Sequence, residues 1–341
     1  MNNSTKKILI LLVILAVGTG VYYLYHYGIF QHKTIVEKPK QKIIINEAAR
    51  TLLYLPMYHA LEEGIFAKNG LDVQVVTGGT ATTSFAAMTS GEAQFSLADP
   101  MYVPISNEKN ANTRVVAQVV SKIAIWGITM DTTIKTMSKI NLRGKIISTH
   151  NKPMSAYTYT IKTIKDLGLD PEKDVEVLQN KPGNEIAPML LRKAEFAMTI
   201  EPSVSIAVSK GAKIILSYPQ ILGEQILTGL MAKQDYIEQH REIVLAVLKA
   251  CQESLDDIYA HPNSALKTAL KYFPQQNPEV ITTALKHVMD EGVIPHSILM
   301  TEESWNKAID VRVKAGDLKS VTSREQNVRI DLIQEALLEL K

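Results

Sequence analysis

The sequence predicts an α/β protein of two lobes, the first of them discontinuous, preceded by an N-terminal apolar helix. Three observations lead there. Lys6 and Lys7 precede an uncharged, largely apolar run over residues 8–29. Residues 42–217 then alternate short β-rich runs with helical patterns, in two successive series. From Tyr236 onward the pattern is helical only. Alternation of strand and helix builds parallel sheets covered by helices. A tail of helices without strands cannot close a lobe of its own, so it is expected to pack back onto the first. The resulting division is 42–125 plus 226–341 for lobe 1 and 126–225 for lobe 2, and 341 residues exceed one ordinary hydrophobic core.

At the amino terminus, cations on the near side and Tyr22, Tyr23, Tyr25 and Tyr27 at the far side suit a helix whose amino end stays in the cytoplasm. About 20 apolar residues span a bilayer, and residues 8–29 just reach that length. Residues 1–30 therefore read as a signal anchor or as a cleaved signal peptide, with Ala16-x-Gly18 or Gly18-x-Gly20 as the small-residue cleavage site. A lipoprotein would need a cysteine after the apolar core, and the single cysteine is Cys251. Both readings export the rest of the chain. Residues 31–41 are polar and basic, a short tether.

Within lobe 1, residues 42–46 (KIIIN) are a buried parallel strand. A helix over 55–67 has Pro56 in its first turn, where a missing amide costs nothing. The next strand, 71–76, runs into Gly78, Gly79 and Thr80. A helix over 82–90 stops at Gly91, and strand 93–98 ends at Asp99-Pro100. Residues 114–130 form a strand pair, or one strand continuing between lobes. In lobe 2, strands 145–148, 175–178, 194–200 and 212–217 alternate with helices 156–167, 184–193 and 202–210. A β-run over 225–231 leads to helices 241–260, 262–272, 277–291 and 301–315.

The order and spacing of four segments resembles the nitrate/sulfonate/taurine group of solute-binding proteins, which includes binders of the thiamine pyrimidine precursor. They are LPMYHALEEGIFAKNGLDVQVV, GGTATTSFAAMTSGEAQFSLADP, MSKINLRGKIIS and AEFAMTIEPSVSIAVSKGAKIIL. The resemblance covers residues 42–235. It implies a periplasmic-binding-protein type II fold that closes on a small ligand and delivers it to an ABC-transporter permease. One branch of the family is a pyrimidine synthase carrying a run of cysteines, which this sequence lacks.

Candidate ligand contacts sit where strands end, since open α/β sheets bind molecules outside the carboxyl ends of their strands. Gly79 and Thr80 precede a helix start rich in amides and hydroxyls, suited to a carboxylate, sulfonate or phosphate, or they form an ordinary βα turn. Arg50 and Thr51 follow the first strand; the guanidinium fork matches an oxyanion, or it is a solvated loop residue. Asp99 is a helix cap or an acceptor for a ligand amine. Ser155 is a natural cap, and Tyr157 could stack on a ring. Glu201 accepts from an amine or aminopyrimidine, or answers a helix dipole. Trp126 lines the cleft or belongs to the core.

No metal site is expected: His59 with Glu62 and Glu63 lacks the HExxH pattern and reads as surface polarity. No cofactor motif and no nucleophile motif is present, and a net charge of +2 does not suit a nucleic-acid binder. The leading expectation is a monomeric, non-enzymatic solute-binding protein. The alternative is an enzyme on the same fold using Asp99 or Glu201 as acid/base. A membrane-tethered sensor is disfavoured by the six or seven residues before Ile8. Mass spectrometry of the mature amino terminus separates the first two N-terminal readings: an anchor keeps the residues before Ile8, whereas a signal peptide leaves a new terminus just beyond Gly18 or Gly20.

Overall fold

The computed structural model describes residues 2–26, 40–152 and 154–340. Residues 27–30 of the apolar run and 31–39 of the expected tether lie outside the described residues. Asn3–His26 is one helix, and its Asn3–Tyr23 stretch, with mean hydropathy 1.8, is long and apolar enough to cross a membrane, a test that a signal sequence also passes. Thr19 returns its hydroxyl to the carbonyl of Leu15 at 2.8 Å, so this polar group is satisfied within the helix.

The second unit, from Lys40 onward, is built on two five-stranded sheets. The first contains β1 (Gln41–Glu47), β2 (Leu71–Thr77), β3 (Phe95–Ala98), β4 (Thr113–Lys122) and β10 (Glu224–Lys233), in the order β2-β1-β3-β10-β4. The second contains β5 (Trp126–Thr129), β6 (Ile146–His150), β7 (Glu176–Asn180), β8 (Phe196–Thr199) and β9 (Lys213–Ser217), in the order β7-β6-β8-β5-β9. Both follow one plan. Three parallel strands lie side by side, and the antiparallel fourth is the strand that the chain delivers on crossing from the other sheet: β5 on entry and β10 on return. The first lobe is thus discontinuous in sequence.

Residues 113–130 resolve as two strands in different sheets, with the crossing at 123–125. The outer edge of β4 is covered. Ile298 and Val293 carbonyls accept from the amides of Gln118 (2.9 Å) and Ser121 (3.0 Å), and the Arg329 amide donates to Val115 (2.9 Å). Covering a ten-residue edge removes a template for intermolecular pairing.

Helices pack largely as the pattern implies. Arg241–Ala260 lies on Leu55–Glu62, Pro262–Tyr272 on the same helix, and Glu302–Ala315 on β10. Pro278–Asp290 departs from the expectation that the tail serves only lobe 1, because it packs on Ser203–Ser209 of the second sheet's layer. Three further differences have local causes. The helix expected over 55–67 breaks at Gly64, whose φ of 66° ends one helix and starts the next. The one expected over 184–193 shrinks to Ala187–Leu190, whose first turn holds Pro188. Ile330–Glu339, not anticipated, is a tail helix packed on Arg241–Ala260.

His59, read as surface polarity, is fully buried. Its ring nitrogens meet Thr268 at 3.1 Å and Asp257 at 2.7 Å, so a polar group in the core carries two partners. Cys251 is buried and free, its thiol pushed up by burial to about 12.

Lobe 2 is packed tightly around β5. A Cβ added at Gly127 would lie 2.9 Å from Met137 Cε, 3.0 Å from Leu216 Cβ and 3.1 Å from Met198 Sδ. Gly127→Val is expected to lower stability by about 1–3 kcal/mol in urea unfolding. The exposed Leu338→Ala control should change it by less than about 0.5 kcal/mol.

Candidate functional site

Because three strands in each sheet run parallel, their carboxyl ends gather on one side, and the two sets face a common cleft of about 890 Å³. From the first sheet it is lined by Arg50, Thr51, Gly78, Gly79 and Thr80. From the second come His150, Asn151, Glu185, Glu201 and Ser203, and Phe273 and Gln276 come from the tail. This volume lies within the range of small-molecule sites.

On the lobe 1 wall, the fully buried Glu47 at the end of β1 organises its neighbours. It accepts from Arg50 Nε (2.7 Å), Tyr58 Oη (2.5 Å) and Thr77 Oγ1 (2.6 Å). The Arg50 guanidinium also lies 5.0 Å from the ring centroid of Tyr58 and 5.4 Å from that of Tyr272. Arg50 therefore enters the cleft already half-neutralised and oriented. Burial disfavours its charge, but the bond to Glu47 and the charge of Glu47, with smaller contributions from Tyr58 and Tyr272, together raise its pKa.

The Gly78-Gly79-Thr80 turn starts the helix Ala81–Ser90. Gly79 takes φ 86°, a region open to glycine. The Thr80 hydroxyl accepts from the amide of Thr83 at 3.1 Å, completing a capping box. That hydroxyl is spent on the cap, and the amides of Gly78 and Thr80 are bonded to the Glu47 carbonyl (2.8 Å) and to Thr83 Oγ1 (3.1 Å), so of the three turn amides only that of Gly79 has no bond among the described residues. Thr51 donates across the cleft to the carbonyl of Glu201 at 3.0 Å.

On the lobe 2 wall, Glu201 is fully buried. Its oxygens accept from the amide (3.0 Å) and hydroxyl (2.8 Å) of Ser205 and from His287 Nδ1 (2.7 Å). An incoming amine must share oxygens that are already engaged. Glu185 is also fully buried, and its Oε1 accepts from Thr199 at 2.5 Å. Burial works against its charge, but His150 and then Thr199 hold its carboxyl down at about 2. Neither Glu185 nor His150 stood out in the sequence. The available signal was position: His150 ends β6, and Glu185 lies in the loop that follows β7.

Four expected contacts lie off the cleft lining. Asp99 Oδ1 caps the Met101 amide at 2.9 Å, while Oδ2 accepts from Arg312 and, at 2.9 Å, from Ser155. Its role is an ion pair and a cross-lobe bond, which leaves it poorly placed as a ligand acceptor or an acid/base. Ser155 accordingly spends its hydroxyl on Asp99 instead of capping its helix, whose N-cap is Met154. Tyr157 lies beneath the Lys152 ammonium, 4.8 Å from the ring centroid. Trp126 is fully buried and donates to Glu291 Oε2 at 3.0 Å, a core residue because β5 lies between two strands. Arg50, Thr51, Gly79, Thr80 and Glu201 are brought together.

The model of the family described as NMT1/THI5 like matches residues 53–265, more than half the chain. YtlA of Bacillus subtilis, provisionally named a binding protein, is 25% identical over 312 residues, covering 89% of this chain and 92% of its own. Among solved structures, the periplasmic nitrate-binding protein NrtA of Synechocystis PCC 6803 has a TM-score of 0.72 at 14% identity, covering 89% of both chains. The periplasmic aliphatic sulphonate-binding protein SsuA of Escherichia coli has 0.67 at 14%, over 84% of this chain and 91% of that one. A ligand-binding component of an ABC-type import system from Staphylococcus aureus has 0.71 at 12%, over 87% and 99%. At these identities the likeness carries the fold alone: this is the two-lobed periplasmic-binding-protein fold.

His287, on the tail helix, contacts Glu201 and lies 3.6 Å from Glu291. Partial burial opposes the charged ring, but the two carboxylates push it up to about 9. A raised folded-state pKa stabilises fully below the unfolded value near 6.5 and is lost as pH rises through about 9. The stability gap between the wild type and His287→Gln should therefore be widest at pH 6 and shrink towards pH 10 in chemical denaturation. A gap independent of pH would remove the charge from this contact.

Proposed function

Because this chain belongs to the NMT1/THI5-like family, we propose that it is the exported solute-binding protein of an ABC importer and is not an enzyme. One observation carries the reading: the carboxyl ends of the parallel strands of both sheets face a single cleft. A cleft built from two lobes that the chain crosses only twice suits capture by hinge closure. The lobes are taken as 42–125 with 226–341, and 126–225, acting as a monomer. The helix at the amino terminus would hold them at the outer face of the cytoplasmic membrane, and a permease would receive the ligand.

The ligand is small and polar, either anionic in the manner of a sulfonate or nitrate, or pyrimidine-like. The Gly79 amide and Arg50 support an anionic group. On the opposite wall, an N–H group would share the Glu201 carboxylate with Ser205 and His287. The nitrate- and sulphonate-binding proteins of the same fold favour the anion.

A thermal-shift panel of sulfonates, nitrate, taurine, pyrimidines and flavins tests this. A true ligand at 100 times its Kd adds about 2.7 kcal/mol of stability. Gly79→Trp should abolish the shift while leaving the far-UV spectrum intact. Conversion of any bound compound to product would overturn the binding-protein reading.

A further inference from the structure

Two buried polar atoms on the lobe 2 wall of the cleft have no hydrogen-bond partner among the described residues: His150 Nε2 and Glu185 Oε2. Their residues are 2% and 0% exposed, and both line the cleft. The two atoms lie 3.4 Å apart, within ion-pair reach but without hydrogen-bond alignment. The neighbouring Asn151 Oδ1, on the same lining, is likewise buried and unpaired.

The rest of the pair is firmly held. Glu185 Oε1 accepts from Thr199 on β8, and the Glu185 carbonyl accepts from Ser148 on β6 at 2.6 Å. Asn180 on β7 donates to that same Ser148 hydroxyl at 2.9 Å. Three parallel strands thus fix one carboxylate with one oxygen engaged and the other unmet. A rigid support behind an unmet polar atom is the arrangement of a binding contact. Two other charged groups of the cleft differ, since Glu201 is bonded to Ser205 and His287 and Arg50 to Glu47; the cations Lys181 and Lys210 also line it.

We propose that Glu185 and His150 form a recognition pair for a ligand amino or ammonium group, in which Glu185 Oε2 accepts the ligand N–H in place of its 3.4 Å approach to His150 Nε2. This rests on the solute-binding reading and sharpens it. The ligand then carries N–H donors at its lobe 2 end, opposite the Gly79 amide. Recognition of this kind rejects analogues that lack the N–H, because the buried acceptor is left unmet.

Calorimetric titration of the full chain with matched probes tests the assignment: taurine against ethanesulfonate, β-alanine against propionate, and 4-aminopyrimidine against pyrimidine. The expected result is at least tenfold tighter binding of the amino member in one or more pairs. Glu185→Gln should bring the ratio of affinities within each such pair close to one. Equal binding within every pair, or equal weakening of both members by Glu185→Gln, overturns the pair and leaves the solute-binding reading standing. Binding of no probe on this panel or the broader one fails both. Nitrogen NMR of the wild type serves independently of whether the variant folds: the His150 Nε2 resonance should move with the amino member alone, and an unmoved resonance on saturation overturns the proposal.

Discussion

A carboxylate buried at the end of a parallel strand must find donors, and those donors come from segments distant in sequence. Glu201 shows the constraint most fully. Its side chain is satisfied by Ser205 of the helix that follows it and by His287 of the tail, and its carbonyl takes the hydroxyl of Thr51 from the other lobe. Removing one donor from a buried charge typically costs several kcal/mol, so the contact fixes the register of three chain segments at once. Glu47 does the same for the opposite wall, with donors from Arg50, Tyr58 and Thr77. Asp99, held by Arg312 and Ser155, is the third such point.

These anchors also define what is left over for a ligand. Satisfied charges contribute shape and fixed dipoles; unsatisfied ones contribute affinity. Of the charged groups lining the cleft, Arg50 is partly neutralised by Glu47 and Glu201 is bonded on both oxygens, whereas Glu185 is engaged on one oxygen only. The Gly79 amide and the Arg50 guanidinium face this from across the cleft, and Lys181 and Lys210 line the lobe 2 side as well.

The fold was largely legible because its signals are local. Short apolar runs ending in glycine turns mark parallel strands, and the change to helices after Tyr236 marks the return to lobe 1. The site was legible only where a strand end is itself conspicuous, as at Gly79-Thr80 and Glu201-Pro202. His150 and Glu185 escaped because their pairing depends on which strands become neighbours, here β6 beside β7 and β8. Trp126 was ambiguous because an apolar run does not say whether its strand is central or peripheral; β5 turned out to lie between β8 and β9. The bond of Asp99 to Arg312 was hidden for a similar reason, since Arg312 lies 213 residues away in sequence.

The two crossings between the sheets leave from β4 and return through β10, which are antiparallel neighbours, and meet β5 and β9, also neighbours. Two straps side by side act as a ribbon: soft to bending across its width, stiff to shear within its plane. Under the proposed hinge closure, motion would be channelled into rotation about one line, and sliding of one wall past the other suppressed. Contacts between the lobes, such as Thr51 with Glu201 and Asp99 with Ser155, would then be made and broken in the same pairs on every cycle.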